Sequence, residues 1–243
     1  MNCGRFVNRP YTRGFQKPFD EVLIRSMQKT MKYLCENIQG CVLGYHQSDE
    51  ITLILVDYKN LNSDAWFDYE VQKMCSIAAS MATMAFNKFF AINCNEWLDE
   101  NLEHDELLVE EINWFTKLFN TYSSAFEKGA MFDARCFNIP KEEVTNLIYW
   151  RQLDATRNSI QMVGQANFSH KQLEGKSCNM IQDMLLTEKD INWNNFPTHQ
   201  KRGSCCVKSN TSCVYAIEDE DGNAITGSYT MNAGWYFLIA SAI

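Results

Sequence analysis

The sequence predicts an α+β fold: an antiparallel sheet with helices on one face, then a mostly helical second half carrying a small β-hairpin. Three observations predict it. Residues 20–139 run through helical and strand periodicities in the order helix, hairpin, helix, strand. Residues 140–188 carry apolar side chains at helical spacing. The chain has 243 residues, 46% hydrophobic and 21% charged, enough to bury a sizeable core without disulfide staples.

The elements follow in order. Asp20 stands after Lys17-Pro18 as a helix N-cap, and Val22, Leu23, Met27, Met31, Leu34, Cys35 and Ile38 recur at helical spacing. An amphipathic helix is therefore predicted over 20–38, ended by Gly40. Two apolar runs, 41–45 and 51–56, flank the polar insert His46-Gln47-Ser48-Asp49-Glu50, a β-hairpin with two carboxylates at its tip. A second helix is predicted over about 69–90, with Val71, Met74, Ile77, Ala78, Met81, Ala85 and Phe89 on one stripe. The acidic segment near 96–111 begins another helix, running towards 126. A short strand follows within 130–139, carrying Phe132-Asp133-Ala134-Arg135. One strand before this series would complete βαββαβ, the ferredoxin-like split unit. Residues 1–15 would have to supply it and make a poor strand sequence, so the first strand is expected to be incomplete. Segments 140–152, 154–167 and 176–188 are predicted helices. A strand pair at about 203–208 and 212–217 precedes 218–223, a hairpin tip by composition.

Composition excludes several classes. Four prolines, eleven glycines and 13% aromatic residues do not suit a collagenous or disordered chain. No run of about 18 apolar residues is present, so no transmembrane helix is expected. Residues 1–10 lack the apolar stretch of a secretory signal. None of the ten cysteines forms a Cys-x-x-Cys pair, which favours reduced, mostly buried thiols and a cytoplasmic location over a zinc site. The net charge of −8 is unevenly spread: Arg5, Arg9, Arg13, Lys17, Arg25, Lys29 and Lys32 crowd residues 1–32, and 99–111 hold seven acids. A local basic surface could still hold a phosphate chain.

Asp49-Glu50 is the most chemically pointed feature. Two-metal nucleotidyl transfer needs carboxylates projecting from adjacent strand ends, with ions about 3.5–4 Å apart. Around the pair stand Lys17-Pro18-Phe19-Asp20, Tyr45-His46-Gln47-Ser48, Phe132-Asp133-Ala134-Arg135, Trp150-Arg151-Gln152-Leu153-Asp154 and Lys201-Arg202-Gly203-Ser204. In this order and spacing they resemble the tRNA(His) guanylyltransferase family, and within it the guanylyltransferase-like 3′–5′ RNA polymerases that repair tRNA 5′ ends.

The resemblance implies a palm-like catalytic domain over 1–139 and a helical and hairpin region over 140–243, packed on the palm and not independent. It implies template-directed addition of nucleotides to the 5′ end of tRNA after activation with ATP or GTP, two Mg²⁺ ions, and a homo-tetramer built as a dimer of dimers. Carried over residue by residue, Asp49 matches the metal-binding carboxylate and Glu50 the catalytic acid beside it. Lys17, Asp20 and Ser48 match positions at the incoming nucleotide, Lys73 and Arg135 match phosphate-holding cations, and Asp154 and Asn158 face the activating nucleotide.

Two departures stand out. The family carries Asp-Gly at the end of its first strand, whereas no acid occurs here before Asp20; Cys3 or Gly4 stands in its place, and neither is an oxygen ligand for Mg²⁺. Thr156 replaces the histidine usual in the guanylyltransferase branch proper, which favours the repair branch. A Walker A reading of Leu173-Glu174-Gly175-Lys176-Ser177 fails for want of its upstream glycine. The alternatives are a catalytically impaired tRNA- or nucleotide-binding member and another palm-type enzyme such as a nucleotide cyclase.

Overall fold

In a computed structural model of the chain, residues 2–6, 11–58, 62–102, 109–208, 211–218, 224–231 and 235–239 are described. Strand β1 (Asn2–Phe6) leads to helix α1 (Glu21–Asn37), then to strands β2 (Cys41–Gln47) and β3 (Glu50–Leu55). The helices α2 (Val71–Leu102) and α3 (Val109–Lys128) and the strand β4 (Phe132–Arg135) follow. The second part holds α4 (Val144–Asn167), α5 (His170–Leu173), α6 (Cys178–Lys189) and α7 (Thr198–Arg202). Strands β5 (Ser204–Lys208), β6 (Thr211–Glu218), β7 (Ala224–Met231) and β8 (Trp235–Ile239) close the series. Residues 103–108 of the expected acidic segment and 219–223 of the expected hairpin tip lie outside the described residues.

The main sheet has the order β4-β1-β3-β2-β5-β8, with antiparallel neighbours throughout. Its first four strands have the ferredoxin-like arrangement. The residues expected to make a poor strand do form one: Asn2 pairs with Thr52 of β3 on one side and with Arg135 of β4 on the other. A strand between two neighbours is specified by its ladder partners more than by its own propensity, which is why these residues read poorly alone.

Helix α1 starts where Asp20 accepts the Leu23 N–H at 2.9 Å, and Gly40 turns the chain at φ 76. Its face Met27, Met31, Leu34 and Cys35 is buried on the sheet. Burying each of the larger side chains stabilises the fold by about 1.5–3 kcal/mol. The approach is close at Gly44, where a Cβ would stand 2.5 Å from the Cys35 sulfur. Beside α1, α2 buries Ala78, Ala82, Ala85, Phe86 and Phe90 and continues to Leu102, well past the expected end at 90. Residues 71–101 are long and apolar enough to pass the composition test for a membrane span, contrary to the sequence expectation. Here they supply a core-facing stripe against α1 and the sheet.

Helix α4 is a single helix where two segments were expected, since no glycine or proline interrupts 152–154. With α6 it encloses a second apolar cluster of Ile160, Val163, Phe168, Ile181, Leu185 and Trp193. Through Ile148 it also meets Tyr45 and Cys205. Cys206, the next residue, joins the main core. Strand β5 is thus buried on both faces, as suits a strand inside the sheet with helices packed on either side. Accordingly it lies between β2 and β8 and not in a hairpin with β6, which pairs with β7 in a separate two-stranded sheet. The cysteines at 35, 41, 75, 94, 136, 178, 205 and 206 are unbridged, and 35, 205 and 206 are buried.

Candidate active site at the hairpin tip

Between the paired Gln47 and Glu50, the β2–β3 hairpin turns on two residues, Ser48 and Asp49. Ser48 is exposed and takes φ 52, a left-handed conformation that costs a non-glycine residue about 1 kcal/mol. The turn is held from beneath. Buried His46 donates its Nε2–H to the Ser48 carbonyl over 2.9 Å. Burial pushes the imidazole down to about 4, so the ring stays neutral at pH 7, and the carbonyl acceptor places the proton on Nε2.

Asp49 and Glu50 are half-buried, but their surroundings differ. Glu50 forms an ion pair with Arg151 of α4, whose side chain is only 11% exposed. No ion pair holds Asp49 among the described residues. One turn before Arg151, Ile148 anchors α4 on Tyr45, which is why this helix meets the tip. Farther along the same helix, Asp154 accepts from Asn158 Nδ2 at 3.2 Å and lies 3.9 Å from the Arg157 guanidinium.

The word Lys201-Arg202-Gly203-Ser204 supports the tip from the other side. The Tyr45 hydroxyl donates to the Arg202 carbonyl at 2.7 Å, and Gly203 packs so tightly on the His46 carbonyl that a Cβ there would overlap it. Ser159 links this turn to α4: its hydroxyl reaches the Lys201 carbonyl at 3.3 Å and accepts the Trp193 Nε1–H at 3.2 Å.

Asp20 lies buried at the start of α1. Its carboxylate accepts from the backbone N–H groups of Gln16 and Leu23 and from the Tyr122 hydroxyl. Desolvation nevertheless raises its pKa above the ordinary value. These bonds commit the carboxylate to holding the turn and fix the backbone at Asp20. Lys17 is exposed just before it, and Phe19 stacks edge-on against Phe196 at 5.5 Å, tying this segment to the second part of the chain.

Two candidates are not brought to the tip. Lys73, exposed at the start of α2, sits 4.7 Å over the Phe67 ring. Its neighbours Val71 and Met74 line a cleft of about 560 Å³ between the far end of β3, the start of α2 and residues 136–139. Arg135 ends β4 with its side chain 79% exposed, 3.6 Å from Asp133. Three residues missing from the sequence-based set matter more here: Arg151, His46 and Gly203. Arg151 and Gly203 lie inside recognised words, but nothing in their spacing tells that both meet the hairpin.

The donor set can be tested against Mg²⁺. Among the described residues no group of three or more His, Cys, Asp and Glu side chains is disposed to hold a metal. Mg²⁺ is commonly held by one or two carboxylates together with substrate phosphates. Asp49 therefore fits one ion arriving with a triphosphate. Among the described residues β1 offers no acid for a second ion, since residues 1–19 contain none.

A family model described as tRNAHis guanylyltransferase matches residues 4–140. The chain is 24% identical over 206 residues to the tRNA(His) guanylyltransferase of Saccharomyces cerevisiae, covering 80% of this chain and 74% of that protein. It is 23% identical over 217 residues to a probable tRNA(His) guanylyltransferase of Dictyostelium discoideum, covering 84% and 72%. Among solved structures, a bacterial tRNA(His) guanylyltransferase-like protein in complex with ATP matches at TM-score 0.68 and 39% identity, over 86% of this chain and 76% of that one. Another, in complex with GTP, matches at TM-score 0.66 and 31% identity, over 99% and 81%.

Proposed function

The chain belongs to the tRNA(His) guanylyltransferase family and is a nucleotidyltransferase, and from that premise we propose that it extends the 5′ end of tRNA in the 3′–5′ direction under a template. The tRNA 5′-phosphate attacks the α-phosphorus of ATP or GTP and pyrophosphate leaves. The 3′-hydroxyl of an incoming nucleotide then attacks the activated 5′-phosphorus and expels the mononucleotide. The observation that carries this reading is the fixed hairpin tip, where, among the described residues, Asp49 is in no ion pair while Arg151 neutralises Glu50.

Asp49 would hold a Mg²⁺ that neutralises the triphosphate. Glu50, catalytic by resemblance, acts through its pairing with Arg151 to hold the tip. Ser48, Lys17 and the backbone at Asp20 position the incoming nucleotide. Asp154 and Asn158 face the activating one. Lys73 and Arg135 hold phosphates away from the tip. A cytoplasmic homo-tetramer completes the proposal.

The test uses a 5′-truncated tRNA bearing a 5′-monophosphate, with ATP and labelled GTP. The label is expected at the 5′ end and should fall about a hundredfold or more in Asp49→Ala, with ATP binding retained. Unchanged incorporation in that variant would remove the mechanism. The absence of an acid on β1 favours a second reading, a binding member without turnover. Tight tRNA binding with no incorporation in either Mg²⁺ or Mn²⁺ would establish it.

A further inference from the structure

We propose that the turn carrying Arg13 and the adjoining face of α3 form an RNA-binding surface that grips the phosphodiester backbone of the tRNA and shares no residue with the hairpin tip; this rests on the tRNA reading above. The starting point is the fate of the basic N-terminal stretch. Arg25 lies 3.5 Å from Glu21 and 3.2 Å from Glu100, Lys29 lies 3.1 Å from Glu96, and Lys32 lies 4.0 Å from Glu36. Those charges are spent within the fold. Among the described residues, Arg13 has no acidic partner.

Arg13 is presented rigidly. Its neighbours Tyr11 and Phe15 are buried, with ring centroids 5.7 and 5.8 Å from Phe90. Between them the Phe15 N–H donates to the Thr12 carbonyl at 3.2 Å. Gly14, at φ 93, lets the turn lie flush on α3, where a Cβ would meet Thr121 at 3.2 Å. The aromatic anchors thus leave the guanidinium outside, against the helix.

Helix α3 complements it. Leu118, Tyr122 and Ala125 fix its buried side. Asn113, Lys117, Asn120, Ser124 and Lys128 follow one another at steps of three or four residues and form one exposed stripe. With Arg13 they line a groove of about 650 Å³. Its lining contains three cations, no carboxylate, and otherwise mainly amide and hydroxyl groups. In a chain of net charge −8, such a surface requires an anionic occupant to be useful.

The occupant follows from the spacing. Lys117 and Lys128 stand eleven residues apart on one helix, roughly 16 Å along its axis. That separation suits a succession of phosphates better than one compact anion. Asn and Ser side chains donate to phosphate and sugar oxygens, the contacts that set register on a nucleic acid.

The experiment measures binding of the full chain to 5′-truncated tRNA over a salt series. The triple variant Arg13→Gln, Lys117→Gln, Lys128→Gln should bind about tenfold or more weakly, and its salt slope should fall by about 2. The charge-keeping exchange Arg13→Lys, Lys117→Arg, Lys128→Arg should bind as the parent does. ATP and GTP binding, measured in parallel, should be unchanged in both and shows that the variants fold. Equal tRNA affinity and slope in the neutralised variant would overturn the proposal, as would a parent chain that binds no tRNA. Binding of poly-glutamate at this face, in preference to tRNA, would overturn the RNA assignment. If the parent binds tRNA and the variant does not, yet no nucleotide is ever incorporated, the surface stands and the proposed function fails.

Discussion

Arg151 brings a guanidinium to a place where its side chain is 11% exposed, and Glu50 is the carboxylate that meets it there. Two charges withdrawn from water stabilise a fold little as a pair, but removing one strands the other. Arg151→Met should therefore cost about 3 kcal/mol in urea denaturation, and a double variant that also carries Glu50→Leu should regain most of it. A loss below about 0.5 kcal/mol would show that the pair is solvated and holds nothing. At this scale the sequence was half legible. Asp20 could be recognised as an N-cap from Leu23 and the apolar stripe behind it. Its third donor, the Tyr122 hydroxyl, could not, because that contact depends on how α3 packs. Glu50 could be read as a tip carboxylate, while its neutralising partner lies far along the chain.

Among the elements, the turn from α7 into β5 determines how the hairpin sits. Gly203 takes φ 83, and its missing Cβ makes room for the His46 carbonyl and the Tyr45 hydroxyl. Gly203→Ala combines left-handed strain with overpacking and should cost about 2 kcal/mol or more. Thermal denaturation measures the loss, and nucleotide incorporation should fall with it; an unchanged melting temperature would refute the tight contact. Helix periodicity located α1, the body of α2 and α6 because each repeats one buried face. It missed that α2 runs to Leu102 and that α4 is unbroken, since helix ends depend on what the last turns pack against. Strand β1 was undervalued for a different reason. Its stability lies in the ladders to β3 and β4, not in its own residues.

For the whole molecule, the main sheet crosses the boundary placed at 139. Strand β5 pairs with β2, β8 extends the sheet beyond it, and α4 closes the face carrying Tyr45. A fragment comprising residues 1–139 would leave the β2 edge unpaired and that face uncovered. It should aggregate or lack a cooperative unfolding transition; a soluble, cooperatively unfolding fragment would show the palm to be self-sufficient. By itself the sequence determined the local faces, the α1 cap and the hairpin with its acidic tip, because dihedral preference and apolar spacing act over a few residues. Only the tertiary structure decided that β1 takes an interior place in the sheet, that Arg151 neutralises Glu50, and that Lys73 and Arg135 stand away from the tip. Those outcomes depend on ladder pairing and burial between segments remote in sequence, where no local spacing carries the information.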